Sequence, residues 1–430
     1  MNQDRIDLSE WVIHFVHDRD LNHYPKNVNL PLPFCFDTLG KPLIHVLDEI
    51  AYDDQLAYEN SLDHPYGLDS DANAYSVLKR ILFDGYIKSG GSFRGGRPTI
   101  YGSKSAVCFT EMPLYALLAY ASKRNNSSSV EAYGIALRKQ ELFKAGGRPV
   151  IYGLSGNHKE ASRDDSYFGK GFRCLASSCG IALNEQYRYV AMNLDKNKWI
   201  DWTHEREWRW ADTRENHEVP GFPVWVESQN PKLSQILVIV KEAWEAEDFI
   251  NSVKTHYDGR GNIYDSTYDR DNLKNTVVVS LEEIEQQLSS SSVIRLEDLP
   301  LKSFSYIAPK TPSIEVLEKV KQALKEAQEE AERAAQKDRE IAPRNKDGYI
   351  TDVCGFATVV TSEANTEITD ALISLDYASP CDGECYFIYE VTSGIDTEQA
   401  LRVAQAAAQA AAKKLSELLG QGFSVRSRWD

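Results

Sequence analysis

The first 305 residues constrain the fold most, because their apolar segments are short and do not alternate regularly with helices. Helical periodicity is confined to Ala74–Phe83, which Gly85 ends, and to Pro113–Ser122 and Ala243–Val253. The segments that predict strands are Trp11–Val16, Ala106–Thr110, Tyr133–Leu137, Pro149–Tyr152, Tyr187–Met192, Arg206–Ala211, Ile236–Val240 and Thr276–Leu281. Many short strands with few helices favour an α+β fold with a mainly antiparallel sheet.

The remaining chain divides into a long helix with a linker, over 306–346, and a small domain over 347–430. The helix Ile314–Glu340 is rich in Glu, Lys, Gln and Ala, and its large apolar residues lie in its first half. Its polar second half predicts a solvated spacer.

The small domain contains three predicted strands, near Tyr349–Val360, Ala371–Asp376 and Glu384–Val391, and then the helix Thr397–Leu419. With the preceding helix this gives the order α-β-β-β-α, which is that of a double-stranded-RNA-binding domain. We therefore expect this small domain to bind a partner.

The charge balance excludes nonspecific polyanion binding by bulk charge, because the net charge is -16 with 48 basic and 64 acidic residues. A local basic patch stays open as an alternative. The polar N-terminus and the lack of an apolar run of ~20 residues predict a cytoplasmic protein without membrane contact. Seven scattered cysteines then predict reduced thiols. Cys381 and Cys385 flank Asp-Gly, which predicts a hairpin turn and not a metal site.

The segment Trp202–Trp210 is the most informative for chemistry, because Glu205 and Glu207 lie two residues apart among tryptophans. On a strand this spacing places both carboxylates on one face, where they repel unless a cation, a donor or a sugar hydroxyl is present. A salt-bridged edge strand is one interpretation. The other is the removal of nicotinamide from NAD, in which one carboxylate stabilises the sugar cation and the second prepares the nucleophile.

The run Glu205-Arg206-Glu207-Trp208-Arg209 resembles the end of the catalytic domain in bacterial abortive-infection proteins of the AbiGi type. The wider layout is similar to that of ADP-ribosyltransferases of the DarT kind. The further segments that carry the resemblance are Trp11–Phe15, Leu78–Ile87, Val107–Pro113 and Gly147–Tyr152.

This resemblance implies an ADP-ribosyltransferase-like split sheet over 1–305 and a toxin of a toxin-antitoxin or abortive-infection phage-defence system. It implies Glu207 as the catalytic residue and Glu205 as its helper. NAD would be the co-substrate, without a metal, and the acceptor would be nucleic acid, with RNA favoured over single-stranded DNA. An antitoxin protein is the expected partner.

The resemblance also implies a set of NAD-binding residues. His14 would contact the adenosine ribose, with His17, His23 and His45 as alternatives. An aromatic ring would stack near the nicotinamide, and an arginine would meet the pyrophosphate. The residues expected in these two roles are Tyr101 or Phe109, and Arg94 or Arg97.

Two other functions stay open from the sequence. The first is a non-catalytic sensor or antitoxin-like binding protein of the same fold. The second is a metal-dependent nuclease that uses Asp164 and Asp165, or the group Asp265, Asp269 and Asp271. A binding protein would tolerate Glu207→Gln, and a nuclease would be inhibited by a chelator.

Overall fold

A computed structural model describes most of the chain. The described residues are 8–18, 72–90, 93–94, 97–113, 133–156, 158–168, 172–197, 199–211, 221–228, 232–259, 267–288, 295–381 and 383–429. The chain forms two compact units. The first comprises Met1–Ala246 and Asn262–Tyr306, and the second comprises Glu247–Gly261 and Ile307–Asp430.

The first unit is built from short strands and few helices. The strands are β1 Trp11–Val16, β2 Tyr86–Lys88, β3 Phe93–Arg94, β4 Arg97–Pro98, β5 Val107–Thr110, β6 Tyr133–Arg138, β7 Arg148–Pro149, β8 Ile151–Tyr152, β9 Tyr189–Val190, β10 Glu207–Trp210, β11 Gly221–Pro223, β12 Ile236–Val240, β13 Thr276–Ser280 and β14 Ser305–Tyr306. The helices are α1 Ala74–Asp84, α2 Lys139–Lys144, α3 Ala243–Asp258, α4 Arg270–Lys274 and α5 Leu281–Leu288. Helix α3 begins in this unit. The helix predicted at 113–122 lies, beyond residue 113, outside the described residues.

The main sheet of the first unit has eight strands in the order β14-β13-β12-β6-β1-β5-β10-β7. Every neighbouring pair is antiparallel except β12 with β13, which is parallel. The prediction of an α+β fold with a mainly antiparallel sheet is therefore confirmed. Strand β1 pairs along its whole length with β6, but with β5 only at Ile13 and Thr110. The sheet is thus weakly joined between β1 and β5.

Helix α1 shows how local sequence sets an element boundary. The side chain of Asn73 accepts a hydrogen bond from the Ser76 amide at the start of the helix. Gly85 ends the helix at φ +80°, and a Cβ there would lie 2.3 Å from Cγ1 of Val226. Only glycine fits this left-handed position without strain.

The core of the first unit lies along the β13-β12-β6-β1 part of the sheet. Strand β12 is buried throughout, as its unbroken apolar run predicts. On one face, Trp11, Ile13, Leu237 and Val279 pack in a single cluster.

The second unit is a four-stranded sheet covered by helices. Its elements are α6 Ile314–Ile341, β15 Gly355–Thr361, α7 Glu367–Ser374, β16 Ala378–Cys381, β17 Cys385–Ile388, α8 Leu401–Leu419 and β18 Ser424–Trp429. The antiparallel sheet has the order β16-β17-β15-β18. After α6, the element order is that of the ferredoxin-like β-α-β-β-α-β arrangement.

The predicted order α-β-β-β-α is therefore wrong. The segment Ala371–Asp376, expected as a strand, belongs mostly to helix α7, which Thr366 caps by accepting from the Thr369 amide. A further strand, β18, follows the last helix. The argument for a double-stranded-RNA-binding domain thereby loses its basis.

Helix α6 is not a solvated spacer in its second half. Ala327, Ala331 and Ala335 are buried at four-residue spacing and pack in one core with Ala407 and Ala411 of α8. Small side chains at this spacing form a stripe along the helix, which lets two helices approach closely. The alanines favour a helix, and the contact that they form between α6 and α8 also stabilises the second unit.

The hairpin predicted at Cys381–Cys385 is confirmed, since these two residues are opposed at the end of β16 and β17. Gly383 lies in the turn at φ +71°. No helix among the described residues combines the length and apolarity needed to cross a lipid bilayer.

Candidate functional site

Glu205 and Glu207 do not share a strand, in contrast to the expectation that both carboxylates lie on one strand face. The strand predicted at Arg206–Ala211 is present as β10 Glu207–Trp210. Residues Thr203–Glu205 form a 3₁₀ turn, and Arg206 follows with φ +46°. This left-handed residue redirects the backbone, so that regular alternation of side chains begins only at Glu207. Strand alternation therefore does not place the two carboxylates together.

Glu207 forms a well-buried ion pair with Arg209. The Arg209 Nε lies 2.7 Å from Glu207 Oε1, and the two side chains are 5% and 12% exposed. Arg209 also donates through Nη1 to the carbonyls of Tyr187 and Tyr189, at 2.6 and 3.2 Å. A buried guanidinium requires such acceptors. Arg209 is thus fixed, and it fixes one oxygen of Glu207.

Tyr152 contacts the backbone of Glu207 and senses the charge of both glutamates. Its hydroxyl accepts a hydrogen bond from the Glu207 amide at 2.7 Å. Burial raises the pKa of Tyr152 to about 12, and the negative charges of Glu207 and Glu205 contribute to the rise. The hydroxyl therefore stays protonated at neutral pH and can donate a hydrogen bond of its own. Sequence reasoning missed this role of Tyr152.

Cys108 lies opposite Arg209 on strand β5. Burial raises the pKa of its thiol far above the ordinary value, and the charge of Glu207 adds to this effect. The residue is therefore a neutral thiol and not a nucleophilic thiolate.

His14 and Glu207 lie on opposite faces of the sheet. Ile13, Thr110 and Glu207 are in register across β1, β5 and β10, so their side chains share one face. His14 falls on the other face, where its ring meets the edge of Phe109 at 5.9 Å between centroids. The structure therefore does not bring these two predicted site residues together.

The imidazole of His14 forms a hydrogen bond with the backbone of strand β5. Its Nδ1 lies 2.9 Å from the carbonyl of Cys108 and donates to it, because the carbonyl can only accept. Burial lowers the pKa of His14 to about 4, although the bond to Cys108 acts in the opposite direction. The ring is thus neutral at physiological pH.

This lowered pKa predicts a loss of stability in mild acid. An unfolded histidine takes up its proton near pH 6.5, whereas folded His14 does so only near pH 4. The free energy of unfolding should therefore fall between these pH values, by up to about 3 kcal/mol, and then level off. Urea unfolding of the wild type and His14→Gln across pH 4–7 measures the difference. Equal pH slopes in both proteins would assign the effect to other residues.

Tyr101 and Phe109 are both buried, each 2% exposed, so neither ring offers a surface to a ligand in this structure. Phe109 packs against Phe222, at 5.8 Å between ring centroids. The stacking role expected for one of these rings is thus not provided by either ring as it stands.

Tyr101 belongs to a cluster that sequence reasoning missed. His158 Nδ1 lies 3.0 Å from the Tyr189 hydroxyl, and its ring meets the edge of Tyr101 at 5.6 Å. The guanidinium of Arg173 covers the Tyr101 ring at 4.3 Å and pairs with Glu160 at 2.6 Å. The Tyr189 carbonyl accepts from Arg209, so this cluster lies on the Glu207 side of the sheet.

Arg94 and Arg97 pair with each other across a two-stranded hairpin, β3 with β4. Their side chains lie outside the described residues. The alternative histidines His23 and His45 lie outside them as well.

Three of the carboxylates suggested for a nuclease, Asp165, Asp269 and Asp271, have structural partners, and Asp265 lies outside the described residues. Asp165 accepts hydrogen bonds from the amides of Tyr167 and Ser177. Asp269 caps helix α4, and Asp271 pairs with Lys232. Within the described part of the chain, no group of three or more His, Cys, Asp or Glu side chains is arranged to hold a metal ion.

Comparison of the chain with protein families, with curated proteins and with solved structures found no significant match.

Proposed function

We propose that the first unit is an NAD-dependent ADP-ribosyltransferase that modifies nucleic acid, with Glu207 as its catalytic carboxylate. The observation that carries the proposal is the surroundings of Glu207. Its side chain is only 12% exposed, one carboxylate oxygen is held by Arg209, and its amide donates to the Tyr152 hydroxyl. A fixed, poorly hydrated carboxylate is what stabilisation of a sugar cation requires.

The chemistry follows from these groups. The bond between the ribose C1′ and the nicotinamide nitrogen breaks, and nicotinamide leaves with the electron pair. The Glu207 carboxylate would hold the ribose 2′-hydroxyl and stabilise the positive charge that develops at the sugar. Glu205 would accept the proton that the acceptor loses as its new bond to C1′ forms. The Tyr152 hydroxyl would donate to an oxygen of the bound nucleotide.

The layout of the main sheet is a second support. Strand β1 meets β5 at a single residue pair, and Glu207 begins β10 on the other side of β5. This weak joint is compatible with the split sheet that the resemblance implies. The positions of His14, Tyr101 and Phe109 do not support their proposed contacts with NAD, and we leave these three residues out of the mechanism.

The proposed acceptor is nucleic acid, either RNA or single-stranded DNA. Since free transferase activity of this kind would harm the host, we also propose an antitoxin protein as partner. The test is incubation of the full chain with NAD labelled in its adenylate phosphate, separately with total RNA, single-stranded DNA and cell protein. Label on RNA or DNA supports the proposal, and label on protein alone contradicts its acceptor.

A second candidate is a non-catalytic binding protein of the same fold. The observation in its favour is that Arg209 is held by Glu207 and two backbone carbonyls. Such an arrangement is also expected of a purely structural ion pair. Nicotinamide release distinguishes the candidates. The absence of release, with and without an acceptor, would favour the binding protein.

A further inference from the structure

The sheet of the second unit has one face that its helices leave open. Helices α6, α7 and α8 pack on one face, where Val359, Tyr386 and Ile388 are buried in their core. Strand alternation turns Phe356, Phe387, Arg426 and Arg428 to the other face. We call this second surface the open face.

Aromatic rings line the open face and are accessible. Phe356 is 61% exposed and Tyr389 is 48% exposed. Tyr389 follows β17 directly, its ring centroid lies 6.4 Å from that of Phe387, and its hydroxyl is bonded to that of Ser379. Exposed rings that lie together on one sheet face mark an interaction site more strongly than a single exposed ring does.

The open face carries positive charge, whereas the chain as a whole is acidic. Phe356 is opposed to Arg428, and Thr358 to Arg426, on the neighbouring strands β15 and β18. Among the strand residues described on this face, the charged side chains are these two arginines, and Glu384 lies at the hairpin end. Helix α6, which carries eight acidic residues, lies in the other layer. A chain of net charge -16 thus presents a locally basic, aromatic surface.

We propose that the open face of the second unit binds single-stranded nucleic acid. Phe356 and Tyr389 would stack on unpaired bases, and Arg428 would meet a phosphate beside them. Arg426, whose Nη1 lies 3.7 Å from the Cys381 Sγ and 3.9 Å from the Cys385 Sγ, would add positive charge to the surface. Exposed aromatic rings on a four-stranded sheet bind single strands in this way, because every base has a stacking face.

This inference does not require the proposed transfer, although it would explain how the first unit receives its acceptor. Binding is measured without NAD, so the failure of one proposal is distinguishable from the failure of the other. The source of the strand is distinguished by using matched RNA and DNA.

The experiment is fluorescence anisotropy of a labelled single-stranded RNA of mixed sequence, titrated with the full chain. The same sequence as DNA and as duplex RNA completes the set. We expect both single strands to bind more tightly than the duplex, and tighter binding of RNA would identify RNA as the source. Phe356→Ala and Tyr389→Ala should each weaken binding on the order of tenfold. Arg428→Gln should lower the salt dependence by about 0.7 in the slope of log affinity against log salt.

Trp429→Ala is the matched control. Trp429 is 73% exposed on the same strand as Arg428, but it is opposed to Gly355, so alternation turns it away from the open face. Its removal should leave the affinity unchanged. Because Phe356 and Tyr389 are exposed, their variants should fold, and circular dichroism verifies this. Unchanged affinity in both variants, an equal loss in Trp429→Ala, or tighter binding of duplex than of single strands would overturn the proposal.

Discussion

Glu207→Gln is expected to reduce ADP-ribose transfer and nicotinamide release by at least about 10²-fold, without unfolding the protein. Glutamine is nearly isosteric, and its carbonyl oxygen can still accept from Arg209 Nε, so the local structure should persist. What is lost is the negative charge opposite the developing sugar cation, and the loss of one such stabilising group costs about this factor. Label transfer and nicotinamide release are measured beside the thermal unfolding midpoint.

Glu111→Gln is the control for this experiment. Glu111 is also 12% exposed and also forms a 2.7 Å ion pair, with Lys139. Glu111 accepts a hydrogen bond from the indole of Trp208. Trp208 follows Glu207 on β10, so the two side chains point to opposite faces of the sheet. A merely structural carboxylate at either position should give a similar, small effect. If the two variants retain equal activity, Glu207 is not catalytic.

Lys254→Ala is expected to destabilise the second unit by about 3–5 kcal/mol. The Lys254 ammonium is 1% exposed and lies 2.5 Å from Asp258 and 2.9 Å from Asp370. Asp258 also accepts from the Tyr386 hydroxyl. Removal of the cation would leave two poorly hydrated carboxylates without their shared partner, which is strongly unfavourable. Native-state hydrogen exchange of peptides from β15 and α8 measures the change.

Lys232→Ala provides the comparison. Lys232 also lies 2.5 Å from a carboxylate, Asp271, but the two side chains are 73% and 67% exposed. An exposed pair at the same distance contributes little to stability, because water and salt screen it. Equal effects of the two substitutions would show that burial is not what makes the Lys254 pairs important.

Elements with a clear period or an unambiguous end could be predicted from the sequence. Strand β1, helix α1 with its Gly85 terminus and strand β12 are of this kind. The sequence of helix α7 predicts a strand, because a short apolar segment fits either structure by periodicity alone. The signal that could have corrected it was Thr366 followed by Glu367, a cap and an acidic first turn.

The candidate site was predictable only in part, because its geometry depends on distant segments. The tryptophans around Glu207 indicate a candidate site, but no neighbouring residue indicates that Arg206 takes a left-handed conformation. Tyr152 lies 55 residues from Glu207 in the chain, and only the sheet brings them together. The face of His14 depends on the register between β1 and β5, which the sequence alone does not specify.

The division into units involves the same difficulty. Residues Glu247–Gly261 group with the second unit although the sequence continues helix α3 without interruption. The contacts responsible, such as that of Lys254 with Asp370, join residues more than a hundred positions apart. The composition of the chain does not predict such a pairing.

Strand β18 has a consequence for solubility. Among the described strands it pairs only with β15, so its outer edge presents backbone donors and acceptors on which a strand of another molecule could assemble. Arg426 and Arg428 place two like charges along this edge, and a second copy aligned there would meet the same charges. The two arginines of the open face therefore also oppose aggregation. Their simultaneous neutralisation should make the protein more prone to self-association, which favours single substitutions for studying the open face.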